Sequence, residues 1–376
     1  MESQHEEIRN LSARFADDVV APLAHEIDRR GEIPDSIIKS VAESGFFGIF
    51  IPEEYGGAAM DYTSYAIIME EISRACASTS VVITGHNSLC VWPIMHFGTP
   101  EQKKTHLPPM ASGEKLGCFC LSEPGAGSDA GSLTTFAKEE GDFFEISGTK
   151  NFITNGKEAK LAIVMAKTQK SPDYRSITAF IVDMTSKGIT VNKLEDKLGL
   201  KGSSTAQIHF DKVRVPKENL LGERERGFRV AMATLDGGRI GVAAQALGIA
   251  EAAFRYAKGY SKQRVQFGAP ISNLQAVQFM LADMSTKIAA SRLLILEASR
   301  LKDRGEKYTK EAAQAKLFAS EASAFVTHKA IQVLGGCGYI KEYPVERHFR
   351  DARITEIYEG TSEIQRLVIA AQELKG

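Results

Sequence analysis

Apolar side chains in the first 115 residues recur at the spacing of a helix. An early stripe, with apolar positions three or four residues apart, consists of Ile8, Leu11, Phe15, Val19 and Leu23. Such a stripe is typical of a helix with one face in a core. Pro34 and Asp35 open a further helix, and apolar-rich stretches predict longer helices at 62–77 and 81–97. The N-terminal region, 1–115, is therefore predicted to be all-helical.

The pattern changes to a period of two between residues 116 and 225. Short apolar runs that end in turn-forming residues predict strands at 116–121, 143–147, 161–166, 177–182 and 206–210. We expect a further strand at 131–136. Several short strands at this spacing are typical of a small antiparallel barrel or sandwich rather than of a parallel sheet.

The helical period returns after residue 226. From Leu274 to Ile295 the apolar positions keep a heptad-like rhythm, and from Ala312 to Val333 they trace a second long helix. Long antiparallel helices of this kind build a bundle. The predicted fold class is therefore α+β, with an N-terminal all-α domain (1–115), a middle antiparallel β-barrel or sandwich domain (116–225) and a C-terminal four-helix bundle (226–376). A coiled-coil rod would leave the strands unexplained.

Composition narrows the classes of function. The 376 residues are 43% hydrophobic and 25% charged, with a net charge of −1, as in an ordinary globular protein. Nothing in this balance favours nucleic acid or an anionic membrane as a partner. No apolar run reaches the ~20 residues of a membrane-spanning helix. We therefore expect no nucleic-acid partner and no membrane insertion.

The N-terminus and the cysteines bear on location. The first residues are acidic and poor in apolar side chains, unlike a secretory or Arg-rich transit peptide. The five cysteines are odd in number and lack the spacing of metal ligands, so we expect reduced core thiols and no metal site. These features predict a bacterial cytoplasm, or the mitochondrial matrix if a transit peptide was removed.

Candidate chemistry is most concentrated between residues 356 and 366. Glu359 and Gly360 precede a helix whose start is indicated by the capping-box spacing of Ser362 and Gln365. Glycine permits another molecule to approach the backbone closely. A carboxylate in this turn could abstract a proton if its surroundings were dry enough to raise its pKa toward neutrality. A solvated loop glutamate is the alternative.

Several segments punctuated by glycine carry polar side chains. Segment 122–129 could turn backbone N–H groups onto an anion. Its loose dinucleotide fingerprint is followed by a predicted strand rather than a helix, which disfavours a Rossmann domain. Segment 149–156 sets an aromatic ring beside hydroxyl groups, as a flat heterocycle would need, or it simply ends a strand in a turn. Two glycines within the helical segment 236–239 cost roughly 1 kcal/mol each relative to alanine, which suggests a ligand or another helix against that backbone. Segments 264–270 and 332–338 are polar sites or glycine-capped helix ends.

These motifs and their order resemble the acyl-CoA dehydrogenase family, over essentially the whole chain. The motifs are Leu-Ser-Glu-Pro-Gly-Ala-Gly-Ser-Asp (121–129), Asn-Phe-Ile-Thr-Asn (151–155), Asp-Gly-Gly-Arg (236–239), Arg-x-x-Phe-Gly-x-Pro (264–270), Gln-x-x-Gly-Gly (332–336), Arg-Asp-Ala-Arg (350–353) and Tyr-Glu-Gly-Thr (358–361). The likeness is closest to the short-chain, butyryl-CoA-type members. The family fold has the same three domains as those predicted above.

The resemblance implies a flavoenzyme. Members of the family bind FAD non-covalently and oxidise an acyl-CoA thioester to the trans-2-enoyl-CoA. Glu359 matches the base that removes the α-proton, while the β-hydrogen leaves as a hydride to flavin N5. The backbone N–H of the same glutamate helps to hold the thioester oxygen. Some members carry the base on the helix where Gly238 lies here, so this chain follows the commoner arrangement.

The resemblance also implies a set of binding positions. The FAD positions are Phe119, Leu121, Ser122, Gly127, Ser128, Phe152, Ile153, Thr154, Arg264, Phe267, Gln275, Gln332, Val333, Gly335, Gly336, Thr361 and Glu363. In the family, Arg264, Gln275 and segment 332–336 come partly from a neighbouring subunit. The substrate positions are Ser128, Asp236, Arg239, Tyr358 and Gly360. Phe152 stands where the family usually has tryptophan, which keeps an aromatic cover but loses an indole N–H.

Partners and substrate follow from the same resemblance. It implies a homotetramer, built as a dimer of dimers, and electron transfer flavoprotein as the electron acceptor. Residues 84–92 would form the floor of the acyl pocket, where Trp92, the only tryptophan, either shortens the pocket or belongs to the core. No Arg or Lys occurs in 80–92, which disfavours a dicarboxylic substrate. Short, branched and alicyclic acyl groups stay open.

Two alternative functions stay open. One is an oxygen-using oxidase of the same superfamily, although nitroalkane-type oxidases have an aspartate base and acyl-CoA oxidases are usually much longer. The other is a non-catalytic scaffold that binds CoA or flavin. The glutamate at 359 and the nearly complete flavin motifs count against it.

Overall fold

The computed structural model describes residues 3–375 and begins with seven α-helices. They are α1 (Ser3–Phe15), α2 (Ala24–Arg30), α3 (Asp35–Glu43), α4 (Tyr62–Ala75), α5 (Ala77–His86), α6 (Trp92–Phe97) and α7 (Pro100–Ala111). Side chains cap two of them. Asp61 accepts the Ser64 N–H at 2.7 Å at the start of α4, and Thr99 and Gln102 form a capping box on α7. The all-helical prediction for this region is confirmed.

The helix predicted at 81–97 is interrupted. Helix α5 ends at His86, a π-turn covers Asn87–Val91, and α6 starts at Trp92 with Pro93 in its first turn. Proline lacks the N–H that would continue the α-helical ladder, and π-turns are frequent at functional sites. The prediction of one continuous helix was wrong here, and the interruption borders the site described below.

The middle region forms one mainly antiparallel sheet. Its strands are β1 (Gly117–Cys120), β2 (Phe136–Glu140), β3 (Phe143–Thr154), β4 (Leu161–Lys167), β5 (Ile177–Asp183), β6 (Ile189–Leu194), β7 (Thr205–Pro216) and β8 (Leu220–Leu221). They pair in the order β6-β7-β3-β2-β4-β5-β8, with β1 on β4. Pairing is antiparallel except between β1 and β4 and between β2 and β4. The β domain is confirmed, with two parallel pairings that were not predicted.

Strand β2 starts later than predicted, and strand β3 is longer than predicted. The strand predicted at 131–136 was wrong, because a 3-10 turn at Ala130–Ser132 comes first and β2 begins only at Phe136. Strand β3 runs on to Thr154, which brings its end to the N-terminal helices. There the Asn155 amide donates to the Val82 carbonyl at 3.1 Å, so the sheet and α5 are joined beside the predicted flavin segments.

The C-terminal region is helical, as predicted. Its helices are α8 (Gly227–Gln263), α9 (Gln275–Asp303), α10 (Thr309–Leu334), α11 (Val345–Ala352) and α12 (Ser362–Glu373), and a small hairpin of β9 (Val265–Gln266) and β10 (Ala269–Pro270) links α8 to α9. Helices α8, α9 and α10 pack against one another, and α12 packs on α10. The bundle prediction is confirmed.

Helix α4 connects the N-terminal helices to the bundle, because it packs on both α8 and α9. The carboxylate of Asp303, at the end of α9, accepts the N–H groups of Tyr62 and Thr63 at 2.7 and 3.1 Å and the Thr63 hydroxyl at 2.7 Å. The start of α4 is therefore held by the C-terminal region. The predicted limits at 115/116 and 225/226 fall between α7 and β1 and between β8 and α8, and they stay a prediction.

The structure of residues 3–375 bears on the expected absence of a membrane-spanning helix and on the state of the cysteines. No helix in this range is both long and apolar enough to cross a membrane. All five cysteines are free, and four of them are buried. Cys337, in the turn Gly335–Tyr339, is only partly buried and packs at the edge of the core.

Candidate active site

Glu359 and Gly360 form a left-handed turn in front of α12. Their φ angles are +51° and +94°, and a positive φ is unusual for a glutamate. Such a strained residue persists only when its surroundings hold it. Here Lys316 Nζ donates to the Gly360 carbonyl at 2.7 Å, while Gln365 Nε2 donates to the carbonyls of Glu359 and Gly360 at 3.2 and 2.9 Å.

The helix start was misassigned by one residue. Thr361, not Ser362, is the N-cap of α12, and its hydroxyl accepts the Ile364 N–H at 3.3 Å. The Gln365 side chain does not complete a capping box. It donates to the two carbonyls of the turn instead. Gln365, which was predicted to cap the helix, therefore helps to hold the backbone of Glu359.

The Glu359 carboxyl group lies in a dry environment. The residue as a whole is partly exposed, but its Oε2 atom is buried and has no hydrogen-bond partner within residues 3–375. Burial raises the pKa of Glu359 to about 7, against the opposing influence of Lys316 and Arg239. A carboxyl group with that pKa can take up and release a proton near neutral pH.

The glycines of α8 make room for this group. A methyl group at Gly238 would collide with Glu359 Oε2, and one at Gly241 would collide with the Tyr65 hydroxyl. At Gly237 it would lie 2.7 Å from the Tyr62 hydroxyl. Both tyrosine hydroxyls are buried without a partner in the described part of the chain. Three polar groups that lack partners therefore lie against one bare stretch of helix, which explains the costly glycine pair.

Of the predicted substrate positions, Arg239 acts on the Glu359 carboxyl group, and Tyr358 and Gly360 flank Glu359 in the turn. Asp236 accepts from Arg239 at 2.5 Å and from Thr309 at 2.7 Å. The Arg239 Nε is buried without a partner among residues 3–375. The Tyr358 hydroxyl donates to Gln245, and burial raises its pKa. Ser128 lies elsewhere, on an exposed loop of the β domain.

Trp92 is buried beside a lysine that was not predicted for this region. Lys302 Nζ lies 4.2 to 4.4 Å from the ring centres of Tyr62, Trp92 and Tyr308, an arrangement of cation–π contacts. Burial lowers the pKa of Lys302 to about 7. Trp92 also stacks on His96 at 4.1 Å. The absence of a cation in 80–92 is thus offset by a lysine from α9, which weakens the sequence argument against a second carboxylate.

A buried ion pair organises the predicted flavin loop. Glu123 accepts from Lys150 Nζ at 2.8 Å, from the Thr134 N–H at 2.6 Å and from the Thr135 N–H at 2.9 Å. Lys150 is fully buried and also donates to the Leu121 carbonyl at 3.1 Å. Burial alone would raise the pKa of Glu123, but Lys150 and the other donors outweigh it and lower the pKa to about 2. The pair was missed because either residue alone looks like a surface charge.

Phe152 lies at the end of β3 with an exposed ring and an unusual backbone conformation. Its side chain is 64% exposed and its φ is +58°, although large aromatic residues rarely adopt a positive φ. The Asn151 N–H donates to the Ser122 carbonyl at 2.9 Å, so the end of β3 and the loop after β1 are adjacent. Ser122 and Thr154 therefore come from neighbouring segments, and the roles of these two residues and of Phe152 at an isoalloxazine stay a prediction.

The remaining predicted FAD positions fall into two groups, and their role stays a prediction. Leu121 and Ile153 are buried in the cores of the β domain, so only their backbones are available. Phe119 is partly buried, whereas Gly127 is exposed, like Ser128 beside it. The second group lies at or next to the ends of the long helices of the bundle. Arg264, Phe267, Gln275, Gln332, Gly335 and Gly336 are exposed there, whereas Val333 is buried. Thr361 caps α12 and Glu363 is exposed in its first turn.

The chain was compared with protein-family models and with known proteins. Models of the acyl-CoA dehydrogenase N-terminal, middle and C-terminal domains match residues 2–114, 118–213 and 225–374. The mitochondrial short-chain specific acyl-CoA dehydrogenase of Bos taurus is 52% identical over 371 residues, which cover 99% of this chain and 90% of that protein.

Solved structures agree with this result. The structure of butyryl-CoA dehydrogenase from Megasphaera elsdenii matches with a TM-score of 0.97 and 44% identity over 100% of this chain and 99% of the other. A chain from a structural study of the electron transferring flavoprotein of Acidaminococcus fermentans, directed at flavin-based electron bifurcation, matches with a TM-score of 0.98 and 46% identity over 100% and 99%. Three matched domains in order, and a relative more than half identical along almost the whole chain, show that this protein belongs to the acyl-CoA dehydrogenase family.

Proposed function

We propose that this protein is an FAD-dependent dehydrogenase that converts a short-chain acyl-CoA, linear, branched or alicyclic, to the trans-2-enoyl-CoA. The observation that carries the proposal is the Glu359 carboxyl group. It is dry, it lacks a partner within residues 3–375, its pKa is raised to about 7, and it lies against the bare backbone of Gly238. These are the properties of a general base for a weakly acidic carbon acid.

Glu359 would take the α-proton of the thioester. As that proton leaves, negative charge grows on the thioester oxygen, and fixed N–H donors in a dry site stabilise it. The Glu359 N–H has no acceptor among the described residues, so it is free to donate to this oxygen. FAD, when bound, accepts the β-hydrogen as a hydride, and the double bond forms between the α and β carbons.

The residues that would hold FAD follow the two groups described above. Phe152 would cover the ring, Ser122 and Thr154 would bond its edge, and the exposed loop at Gly127 and Ser128 would meet the pyrophosphate. Arg264, Phe267 and Gln275, with segment 332–336, would contact FAD partly across a subunit interface. Asp236 and Arg239 would bind the pantetheine side of the substrate.

Packing around the carboxyl group supports a short acyl chain. Tyr65 is fully buried against Gly241, and the Tyr358 hydroxyl is tied to Gln245 of the same helix. Burial raises the pKa values of both tyrosines, and both are close enough to Glu359 for its charge to raise them further. Large side chains beside the base favour a small acyl group. The relatives named short-chain and butyryl-CoA dehydrogenases favour the same size.

We propose a homotetramer and electron transfer flavoprotein as acceptor. Phe267 is 93% exposed and Tyr339 is 86% exposed, and large apolar side chains exposed to this degree favour burial against another chain. The match to a chain from the study of an electron transferring flavoprotein supports the acceptor. Five free thiols fit a reducing compartment, the bacterial cytoplasm or the mitochondrial matrix.

The deciding experiment is anaerobic reduction of the purified protein. It should be yellow, and butyryl-CoA should bleach its absorbance near about 450 nm, where oxidised flavin absorbs. A panel of acyl-CoAs that differ in length, branching and ring content then defines the substrate. A colourless protein that takes up no added FAD would support the scaffold alternative, and rapid reoxidation by oxygen rather than by electron transfer flavoprotein would support the oxidase.

A further inference from the structure

Lys316 is a lysine buried beside the Glu359–Gly360 turn. It lies in α10 with no exposed surface, and its Nζ donates to the Gly360 carbonyl at 2.7 Å. Within residues 3–375 no carboxylate forms an ion pair with it. An ammonium group without an ion-pair partner is costly to bury, so its position beside the turn calls for an explanation.

The hydrogen bond of Lys316 is made to the backbone of the turn. Its ammonium group and the Gln365 amide together hold the carbonyls of Glu359 and Gly360. In a trans peptide the carbonyl and the following N–H point in opposite directions. The two side chains therefore fix which way the peptide groups of the turn face, and with them the carboxyl-bearing side chain of a strained residue.

The charges that face Glu359 come from several elements. Helix α8 supplies Arg239 and α10 supplies Lys316, and both favour the ionised carboxylate against the effect of burial. Glu356, before the turn, and Glu363, in α12, act with Glu359 on Lys316. The hydroxyls of Tyr62, Tyr65 and Tyr358 complete the ionisable surroundings. Arg239 is already paired with Asp236, which leaves Lys316 as the cation whose charge is not already compensated by an ion pair.

We propose that Lys316 is a positioning residue for the reaction: its ammonium group fixes the Glu359–Gly360 turn, and its charge keeps the Glu359 carboxylate ionised in a dry site. The inference rests on the proposed function. It deepens that function, because it separates the group that accepts the proton from the group that decides at which pH it can do so.

The test compares pH profiles of anaerobic flavin reduction by butyryl-CoA. Lys316→Gln keeps a donor for the carbonyl and removes the charge, so the acidic limb should move up by about one pH unit or more. Lys316→Arg keeps the charge, so its acidic limb should stay at the wild-type position. Gln365→Leu should slow reduction without moving the limb. Lys310→Met, on the same helix with a partly exposed lysine, is the control and should change neither.

A second measurement does not depend on turnover. Infrared difference spectra between wild type and Glu359→Gln isolate the carboxyl band of Glu359, and its titration should move upward in Lys316→Gln. If wild-type flavin is not reduced at all, the proposed function fails while this titration still tests the effect of Lys316.

The inference is overturned if Lys316→Gln is folded, contains FAD and shows the wild-type limb. If that variant does not fold, Lys316→Arg decides. Arginine keeps the positive charge, so an acidic limb displaced to higher pH in Lys316→Arg would also overturn the inference.

Discussion

The carboxyl groups of Glu359 and Glu123 are both enclosed by protein, and their pKa values move in opposite directions. Glu359 Oε2 has no partner within residues 3–375, and burial raises the pKa to about 7. Glu123 is also subject to burial, which would raise its pKa, but Lys150 and the donors of Thr134 and Thr135 lower it to about 2. Enclosure is common to both, so the donors account for the difference.

The difference separates a structural carboxylate from a reactive one. Glu123 stays ionised at any ordinary pH and ties the loop after β1 to β3 through Lys150. The free oxygen of Glu359 has no bond to break before it accepts a proton. Its turn is held through backbone carbonyls instead, which leaves the carboxyl group itself available.

The largest expected effect is the loss of flavin reduction when Glu359 is replaced. Glu359→Gln should still bind acyl-CoA but reduce its flavin at least ~10³-fold more slowly, the scale expected when a general base is lost. Stopped-flow absorbance measures the rate, and acyl-CoA binding is measured separately. Glu321→Gln, which removes a partly exposed glutamate of α10 paired with Arg366, is the control and should reduce at the wild-type rate. Near-wild-type reduction by Glu359→Gln would place the base elsewhere.

The next largest effect is the loss of stability when the buried Glu123–Lys150 ion pair is broken. Lys150→Met leaves Glu123 buried without its cation, and breaking a buried pair in this way destabilises a protein by about 3–5 kcal/mol. Denaturant unfolding of the holoenzyme measures the loss, and FAD should dissociate more readily. Lys138→Met removes the exposed partner of Glu140, and surface pairs of this kind contribute little, so stability should be nearly unchanged. Equal effects in the two lysine variants would contradict the structural role.

The smallest effect is the pH dependence of stability, where the two glutamates should differ in sign. The folded-state pKa of Glu359 is raised from 4.5 to about 7, so its contribution to stability is full below 4.5 and is lost as the pH rises through 7. Glutamine does not titrate. Glu359→Gln should therefore be more stable than wild type by about 1–3 kcal/mol near pH 8, after a reduction for the partly exposed residue, and similar to wild type near pH 4.

Glu123 gives the opposite sign. Its folded-state pKa is lowered from 4.5 to about 2, so its contribution is full above 4.5 and is lost as the pH falls through 2. Thermal unfolding of wild type and Glu359→Gln at several pH values is the measurement. An advantage of the variant that does not grow between pH 4 and pH 8 would show that the carboxyl group is not held as described.

Local sequence predicted the reactive turn but not what holds it. Glu359 and Gly360 are adjacent residues before a helix, and the glycine pair of α8 indicated that another group packs closely against that helix. Lys316 and Lys302 lie in long helices among other lysines and cannot be told from surface residues by spacing. Only the fold shows that α10 buries one against Gly360 and that α9 places the other among aromatic rings.

The strands and helices show the same limit. The spacing of apolar residues, every second residue in strands and every third or fourth in helices, predicted the three regions. This spacing is visible in the sequence because it reflects which face of each element is buried. The π-turn at Asn87–Val91 and the two parallel pairings of β4 depend on contacts between distant segments. The exposed side chain of Phe152 follows from a backbone angle rather than from a residue pattern.

Asp303 has a consequence for synthesis of the chain. It holds the first N–H groups of α4 across an interval of 241 residues, so this helix cannot take its final form until the end of α9 has left the ribosome. Contacts between such distant segments slow folding. Helix α4 also packs on α8 and α9, so its apolar face stays exposed until they are made, and a prematurely terminated chain should bind chaperones rather than form a stable fragment.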